Sequence, residues 1–366
     1  SRKPRLAFLT PYPPDRSGIA DYSAATLREL SRHAVIDVFT GAQPVRRDPW
    51  VSNFRPVGAA VHYSGEYDRV VTIVGNSPIH STSLEVHRQF GGPVISHDNR
   101  MSEYYHWRYG IDDLRRRAAE KLGRPVSAGE AERWLEEPSL LPTPFFDELL
   151  LRTDPFIVHS RGFQQKIQAE TSAAVEYLPF CCPRQFSDEE LTPSARQAAR
   201  RRLGIPDDQL VIVSLGLVDA SKGIHGLCGA LEQLHNRGWS AHLYLVGPAG
   251  EYQAGAQPLL ERLGLTELVH FQKNPWVAES DYRDFIIAAD LGAQLRLPAF
   301  NARSAVLRDC VAAGLPTVAS ANLVATVEAP SYVYSVGDKL TTSTIAERLP
   351  TLLDTGHHLH RLTPER

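Results

Sequence analysis

Short runs of apolar residues recur along this chain, and most are followed by a segment with helical spacing. Unbroken apolar runs of this length read as parallel strands buried on both faces. In the first half they predict strands at Arg5–Thr10, Val35–Phe39, Arg69–Val74, Pro93–Ser96, Phe156–His159 and Val175–Leu178. Helices are expected from about Ile19 to Arg32, from Ile79 to Phe90, and from Ser160 through Ala169. The stretch Gly41–Gly58 is polar and reads as irregular. Residues Asn99–Asp147 break the alternation. They are helical in pattern, carry Tyr104, Tyr105, Trp107 and Tyr109, and include a charged run from Asp112 to Lys121. That run reads first as a solvated helix face. The sharper alternative is a cap over a cleft, or a surface that touches lipid headgroups.

Phe180–Pro193 holds prolines, a cysteine pair and acidic residues without periodicity, so the domain boundary is placed there. In the second half, strands are predicted at Leu210–Leu215, Ala241–Val246, Leu268–Phe271, Leu291–Leu295 and Thr317–Ala319. Helices are predicted at Ser194–Leu203, after Gly223 as far as His235, at Glu279–Ala289 and from Ser304 onward. Asn322–Ser335 is ambiguous, and Thr344–Leu353 reads as a final helix. At 366 residues the chain exceeds one ordinary core. The expectation is an α/β protein of two doubly wound domains: residues 1–182, with a helical insert at 99–147, and 183–340, followed by a helix and tail at 341–366.

In such sheets ligands bind at the carboxyl ends of strands. The stretch Asp290–Ser320 there combines a strand, a polar loop from Arg296 to Arg303, and Ser304 as the N-cap of a helix closed by Gly314. A helix start with unpaired N–H groups attracts anions, and Arg296 and Arg303 bracket this one. Near the amino end, Gly18 follows a proline-rich loop and permits close backbone approach. Gly216 opens the loop that leads to Lys222. A lysine at a helix start gains nothing from the dipole, so Lys222 reads as the partner of a bound anion rather than a surface residue. Gln272, Lys273 and Asn274 form another strand-end loop. Asn76 ends one strand, and His97-Asp98 end another. A lone histidine is usually structural; position and the acidic neighbour favour a functional His97.

Composition narrows the function. The net charge of −3 supplies no field for nucleic acid. The four cysteines have no CxxC spacing, which argues against zinc or a disulfide framework and for a reducing cytoplasm. No apolar run reaches the ~20 residues needed to span a bilayer, and SRKPRLAFLT does not read as a signal peptide. The tail histidines His357, His358 and His360 have no partner cluster. GxxxxGK[ST] is absent, as is GxGxxG after the first strand, so neither a P-loop nor a classical NAD site is expected. No DxD pair ends a strand, so no metal is expected, and cations with helix ends would carry the charge of a diphosphate.

Read in order, SGIADYS, GNSPIH, ISHD, VHS at 158–160, SLG with DASKG, and LRLP…S…AAGLPTVAS resemble the family-4 glycosyltransferases across roughly residues 5–320. The resemblance implies the GT-B fold, two Rossmann-like domains around a cleft. It implies transfer of a hexose, with retention, from GDP-mannose or a UDP-hexose to a hydroxyl of a saccharide, lipid-linked saccharide or metabolite, as in polysaccharide biosynthesis. No cofactor is implied, because the nucleotide sugar is a co-substrate; peripheral membrane contact stays open. Lys222, Gly216, Arg296, Arg303 and Ser304 would hold the diphosphate, Gln272–Asn274 would lie beside the base, and Gly18 would approach the diphosphate. His97 with Asp98, Asn76 and Asn301 would meet the sugar and acceptor, with His97 and Lys222 as the catalytic pair. Three departures stand out. Leu217 and Val218 occupy the place of a family arginine, Ala302 replaces the first glutamate of a spaced pair, and Cys310 beside Asp309 replaces the second. Arg296 and Arg303 are expected to supply the missing positive charge. The lost carboxylates keep open a non-catalytic module that binds nucleotide sugar or a partner protein; an epimerase on the same fold ranks below both.

Overall fold

A computed structural model describes residues 2–41, 46–180, 184–249, 251–272, 277–297, 304–354 and 356. These residues fall into two compact units, one running to Phe180 and one from Arg184.

The first unit comprises β1 (Arg5–Leu9), α1 (Gly18–Leu30), β2 (Val35–Thr40), β3 (Asn53–Pro56), α2 (Ala60–Tyr63), β4 (Arg69–Val74), α3 (Ser81–Phe90) and β5 (Gly92–Ser96). It continues with α4 (Ser102–Tyr109), α5 (Ile111–Leu122), α6 (Ala128–Glu136), α7 (Asp147–Leu150), β6 (Thr153–Val158), α8 (Arg161–Gln168) and β7 (Val175–Tyr177). Its sheet has the order β3-β2-β1-β4-β5-β6-β7, all parallel. The order runs outward in both directions from β1 and β4, so the topological switch point lies between them. Phe8, Ile36, Val38 and Ile73 form the core on one side of the sheet, and Leu84, Val94, Phe156 and Phe163 pack in another cluster with the helical insert.

The second unit comprises α9 (Pro193–Leu203), β8 (Leu210–Leu215), α10 (Ile224–Asn236), β9 (Ala241–Val246), α11 (Glu251–Leu263), β10 (Val269–Phe271) and α12 (Glu279–Ala288). After these come β11 (Leu291–Gln294), α13 (Ala305–Ala312), β12 (Thr317–Ala319), α14 (Ala321–Val327), β13 (Val333–Ser335) and α15 (Thr342–Asp354). Its sheet, β10-β9-β8-β11-β12-β13, is also parallel and switches between β8 and β11. Every residue of β8 is buried, including Ser214, as a run that is apolar but for that serine requires.

Three segments differ from the sequence expectation. Gly41–Gly58 contains an edge strand: Asn53–Pro56 pairs with β2, and Asn53 donates to the buried Asp37 at 3.0 Å. An edge strand has one covered side, so it needs no apolar run. Glu251–Leu263, given no element from sequence, is a helix despite Pro258, with Ala256 and Leu260 buried. The ambiguous Asn322–Ser335 resolves into α14 and β13, with Leu323, Val327 and Val333 in one apolar cluster. The final helix packs back into the second unit, where Ile345, Leu349 and Leu352 join the α10 cluster.

The charged run on α5 is a paired surface. Arg116 and Arg117 both hold Asp113, Arg117 also reaches Glu148, and Lys121 meets Asp147 at 2.6 Å. This matches the solvated-face reading. Among the described residues no helix is long and apolar enough to cross a membrane.

Candidate functional site

In the second unit, the loops after β8 and β11 leave the sheet on the two sides of its switch point. Gly216 takes φ +87°, a conformation that favours glycine. A Cβ there would lie 3.3 Å from Val306 in the first turn of α13 and 3.7 Å from the amine of Lys222. The loop after β8 and the start of α13 thus meet over one backbone position.

Lys222 stands at the helix start, as expected, in a 3-10 turn Ala220–Lys222 directly before the cap of α10. Asp219 shapes that turn by accepting from the Ser221 N–H at 2.8 Å and from its hydroxyl at 2.5 Å. Gly223, at φ +62°, then starts the helix. Lys222 is no surface lysine: it is 5% exposed, and its Nζ donates to the Leu215 carbonyl at 3.3 Å. Burial, and next the Arg296 guanidinium, bring its amine down from the ordinary lysine value to about 7. The β11 loop is tied to the same turn, because Leu297 N–H donates to Ser221 O at 2.8 Å. Arg296 is fixed through its own N–H to the Ser320 hydroxyl at 3.1 Å. Ser304 is buried and caps α13, its Oγ accepting from Leu307 N–H at 3.2 Å.

The second unit therefore brings together Gly216, Lys222, Arg296 and Ser304. An anion at this place would meet two cations and a helix start. Gln272 directly follows β10 at the same end of the sheet. Lys273, Asn274, Asn301 and Arg303 lie outside the described residues, as does Ala302.

Neither Cys310, at the place of the second glutamate, nor Asp309 beside it presents a carboxylate to this place. Cys310 is buried in the core and its Sγ accepts from Gln294 at 3.6 Å. Asp309 is buried and held by Arg184 and Tyr282.

In the first unit, Ser17 caps α1 by accepting from Ile19 N–H at 3.2 Å. Gly18 is the first residue of that helix, and a Cβ on it would meet nothing within 4 Å. His97 follows β5, its N–H bonded to Val74 O at 2.9 Å. Its ring lies among Tyr22, His159 and Phe180, with centroids at 4.1, 5.0 and 5.7 Å. Nε2 is closed off from water without a hydrogen-bond partner. Burial, then His159 and His80, hold His97 well below the ordinary histidine value, so the ring is neutral. His159 turns Nδ1 to the Leu178 carbonyl at 2.9 Å, so that nitrogen carries the proton in the neutral ring.

Asp98 accepts the Asn76 N–H at 2.7 Å. Asn76 itself is engaged with α4: its Oδ1 accepts Tyr104 N–H at 3.0 Å, and its amide nitrogen donates to Glu103. Asn76, expected to meet a sugar, here supports a helix start.

Sequence reasoning left His80 unassigned, although GNSPIH contains it. It is fully buried, and among the described residues no side chain pairs with either ring nitrogen, the Ile73 backbone being the polar group within reach. A Cβ on Gly75 would lie 2.9 Å from its Nε2 and 3.0 Å from Asp98 Oδ2. Burial brings His80 down to about 4. The available signal was the glycine: its missing side chain makes room for two polar groups at a strand end. Among the described residues no group of three metal-ligating side chains is assembled.

No family model matches the chain. It is 33% identical over 138 residues to D-inositol 3-phosphate glycosyltransferase of Streptomyces griseus, covering 35% of this chain and 28% of that protein. It is 28% identical over 180 residues to the lipopolysaccharide glucosyltransferase WaaG of Escherichia coli, covering 48% and 44%. The chain therefore spans less than half the length of either relative. Among solved structures, Anabaena Alr3699/HepE in complex with UDP-glucose superposes with TM-score 0.63 at 18% identity, over 97% of this chain and 91% of that one. The WaaG crystal structure gives 0.65 at 16% identity, over 97% and 92%. Sucrose-phosphate synthase of Thermosynechococcus elongatus gives 0.65 at 16%, over 98% and 92%. The fold is GT-B, and the likeness to family-4 glycosyltransferases expected from the motifs is borne out.

Proposed function

We propose that this chain binds a nucleotide diphosphate sugar and transfers its hexose to an acceptor hydroxyl, with retention and without a metal. One observation carries the reading. At the switch point of the second unit, the Lys222 amine, Arg296 and the capped start of α13 gather around Gly216. Charge that develops on a leaving diphosphate would be met there by groups already in place, which is the largest lever available to such a reaction. A structural neighbour crystallised with UDP-glucose supports a donor of this class.

Among the described residues the carboxylate beside Lys222, Asp219, is engaged with Ser221, so a diphosphate oxygen would take the proton of the attacking hydroxyl. Neutral His97 would accept or donate a hydrogen bond at the sugar and acceptor rather than supply a charge. GDP-mannose and the UDP-hexoses are the donors proposed; saccharides, lipid-linked saccharides and small metabolites are the acceptors.

A thermal-shift series with UDP, GDP, ADP and TDP is the first test. A nucleotide at 100 times its dissociation constant should add ~2.7 kcal/mol of stability. No shift with any of the four would remove the reading. Transfer assays with donor panels then address a second reading, a module that binds without turnover. That alternative draws on Asp309 and Cys310, which offer no carboxylate to the site. Binding without transfer or hydrolysis would favour it.

A further inference from the structure

Helix α13 brings its first turn to the candidate phosphate site and carries, farther along, a carboxylate with no solvent contact. Asp309 is fully buried. Its Oδ2 accepts from Arg184 Nη1 at 3.0 Å and from the Tyr282 hydroxyl at 2.9 Å. The other edge of Arg184 is occupied by Glu279, Nε to Oε1 and Nη2 to Oε2 both at 2.9 Å. The guanidinium also lies 4.4 Å from the centroid of the Tyr282 ring. Burial raises the Asp309 carboxyl against the pull of Arg184. A buried carboxylate is costly unless its partners are well placed, so this one constrains whatever element bears it.

The next residue along α13 is tied as well. Cys310 Sγ accepts from Gln294 Nε2, and Gln294 Oε1 accepts from Leu215 N–H at 3.3 Å, one residue before Gly216. The helix is only eight residues long. A helix that short has little stability of its own, and its seat is set by packing and by these ties.

We propose that Asp309 is a positioning residue. By seating α13 against Arg184 and Tyr282, it fixes where Ser304 and the first-turn N–H groups stand relative to Lys222 and Gly216. It thereby sets the strength of the grip on a diphosphate. This inference rests on the diphosphate reading of the site, and Asp309 itself touches no ligand.

The test uses the full chain with Asp309→Asn, Tyr282→Phe and, as a control in the core of α11, Leu260→Ala. Affinities for UDP, GDP, uridine and guanosine are measured by calorimetry, with hydrogen exchange at residues 305–308. Asp309→Asn should weaken the bound diphosphate by roughly tenfold and leave the parent nucleoside within about twofold. Exchange should rise selectively in the first turn of α13. Leu260→Ala, although destabilised, should do neither. If Asp309→Asn does not fold, Tyr282→Phe, which removes one hydroxyl, carries the same comparison. A folded variant with wild-type diphosphate affinity and first-turn exchange overturns the proposal, as does a loss shared by the control. A wild-type chain that binds neither UDP nor GDP overturns the diphosphate reading alone, and the exchange comparison still decides whether Asp309 seats the helix.

Discussion

Lys222 shows how a single residue acquires a chemistry its type does not have. In the folded chain its amine is held near 7 by burial and by Arg296. An unfolded lysine titrates at about 10.4, so between these values the unfolded state binds more protons. Stability therefore rises with pH across that window, and the cost of the buried charge is in full force below about pH 7. A bound diphosphate reverses the preference, because it favours the ammonium form. At pH 8, binding should take up close to one proton, seen as a buffer-dependent heat in calorimetry. Lys222→Met should abolish that uptake and weaken diphosphate binding. Equal heats in buffers of different ionisation enthalpy would count against the role. Arg303, beyond the described residues, carries the other charge prediction: Arg303→Ala should weaken nucleotide binding by ~1.5–3 kcal/mol. His97, neutral in its ring cluster, should titrate below the ordinary histidine range in an NMR pH series.

At the scale of elements, the second unit's site depends on how closely two strand ends approach. Gly247 follows β9 at φ +156°, and a Cβ there would collide with the Gly216 carbonyl. Gly247→Ala should destabilise the unit by about 1–3 kcal/mol in urea and weaken diphosphate binding in the same variant. A stability change without an affinity change would separate the packing of β8 and β9 from the site. The cap of α13 behaves in the opposite order. Ser304→Ala removes the acceptor for Leu307 N–H and should cost about 1 kcal/mol, with the larger effect on the ligand.

For the whole molecule, each unit has its own sheet and its own apolar clusters. Protection from hydrogen exchange on adding a nucleoside diphosphate should therefore centre on residues 216–223, 296–297 and 304–308 of the second unit. Protection confined to the amino-end loops would place the anion elsewhere and discard the assignment of Lys222.

The buried strands were legible in the sequence because a parallel strand covered on both faces must be largely apolar, as Leu210–Leu215 is but for Ser214. The ordered motifs were legible too, because glycine, proline and N-cap residues act through their own backbone chemistry. The edge strand Asn53–Pro56 was not, since one covered side imposes no pattern, and α11 was obscured by Pro258. Which polar groups lose their water was also invisible. Asp309 and His80 look like surface residues along the chain, and the anion partner Lys222 gave no sign of being buried; their burial depends on packing the local pattern does not encode. Local pattern fixes which segments form strands and helices; long-range packing alone decides which charges are desolvated and what they then do.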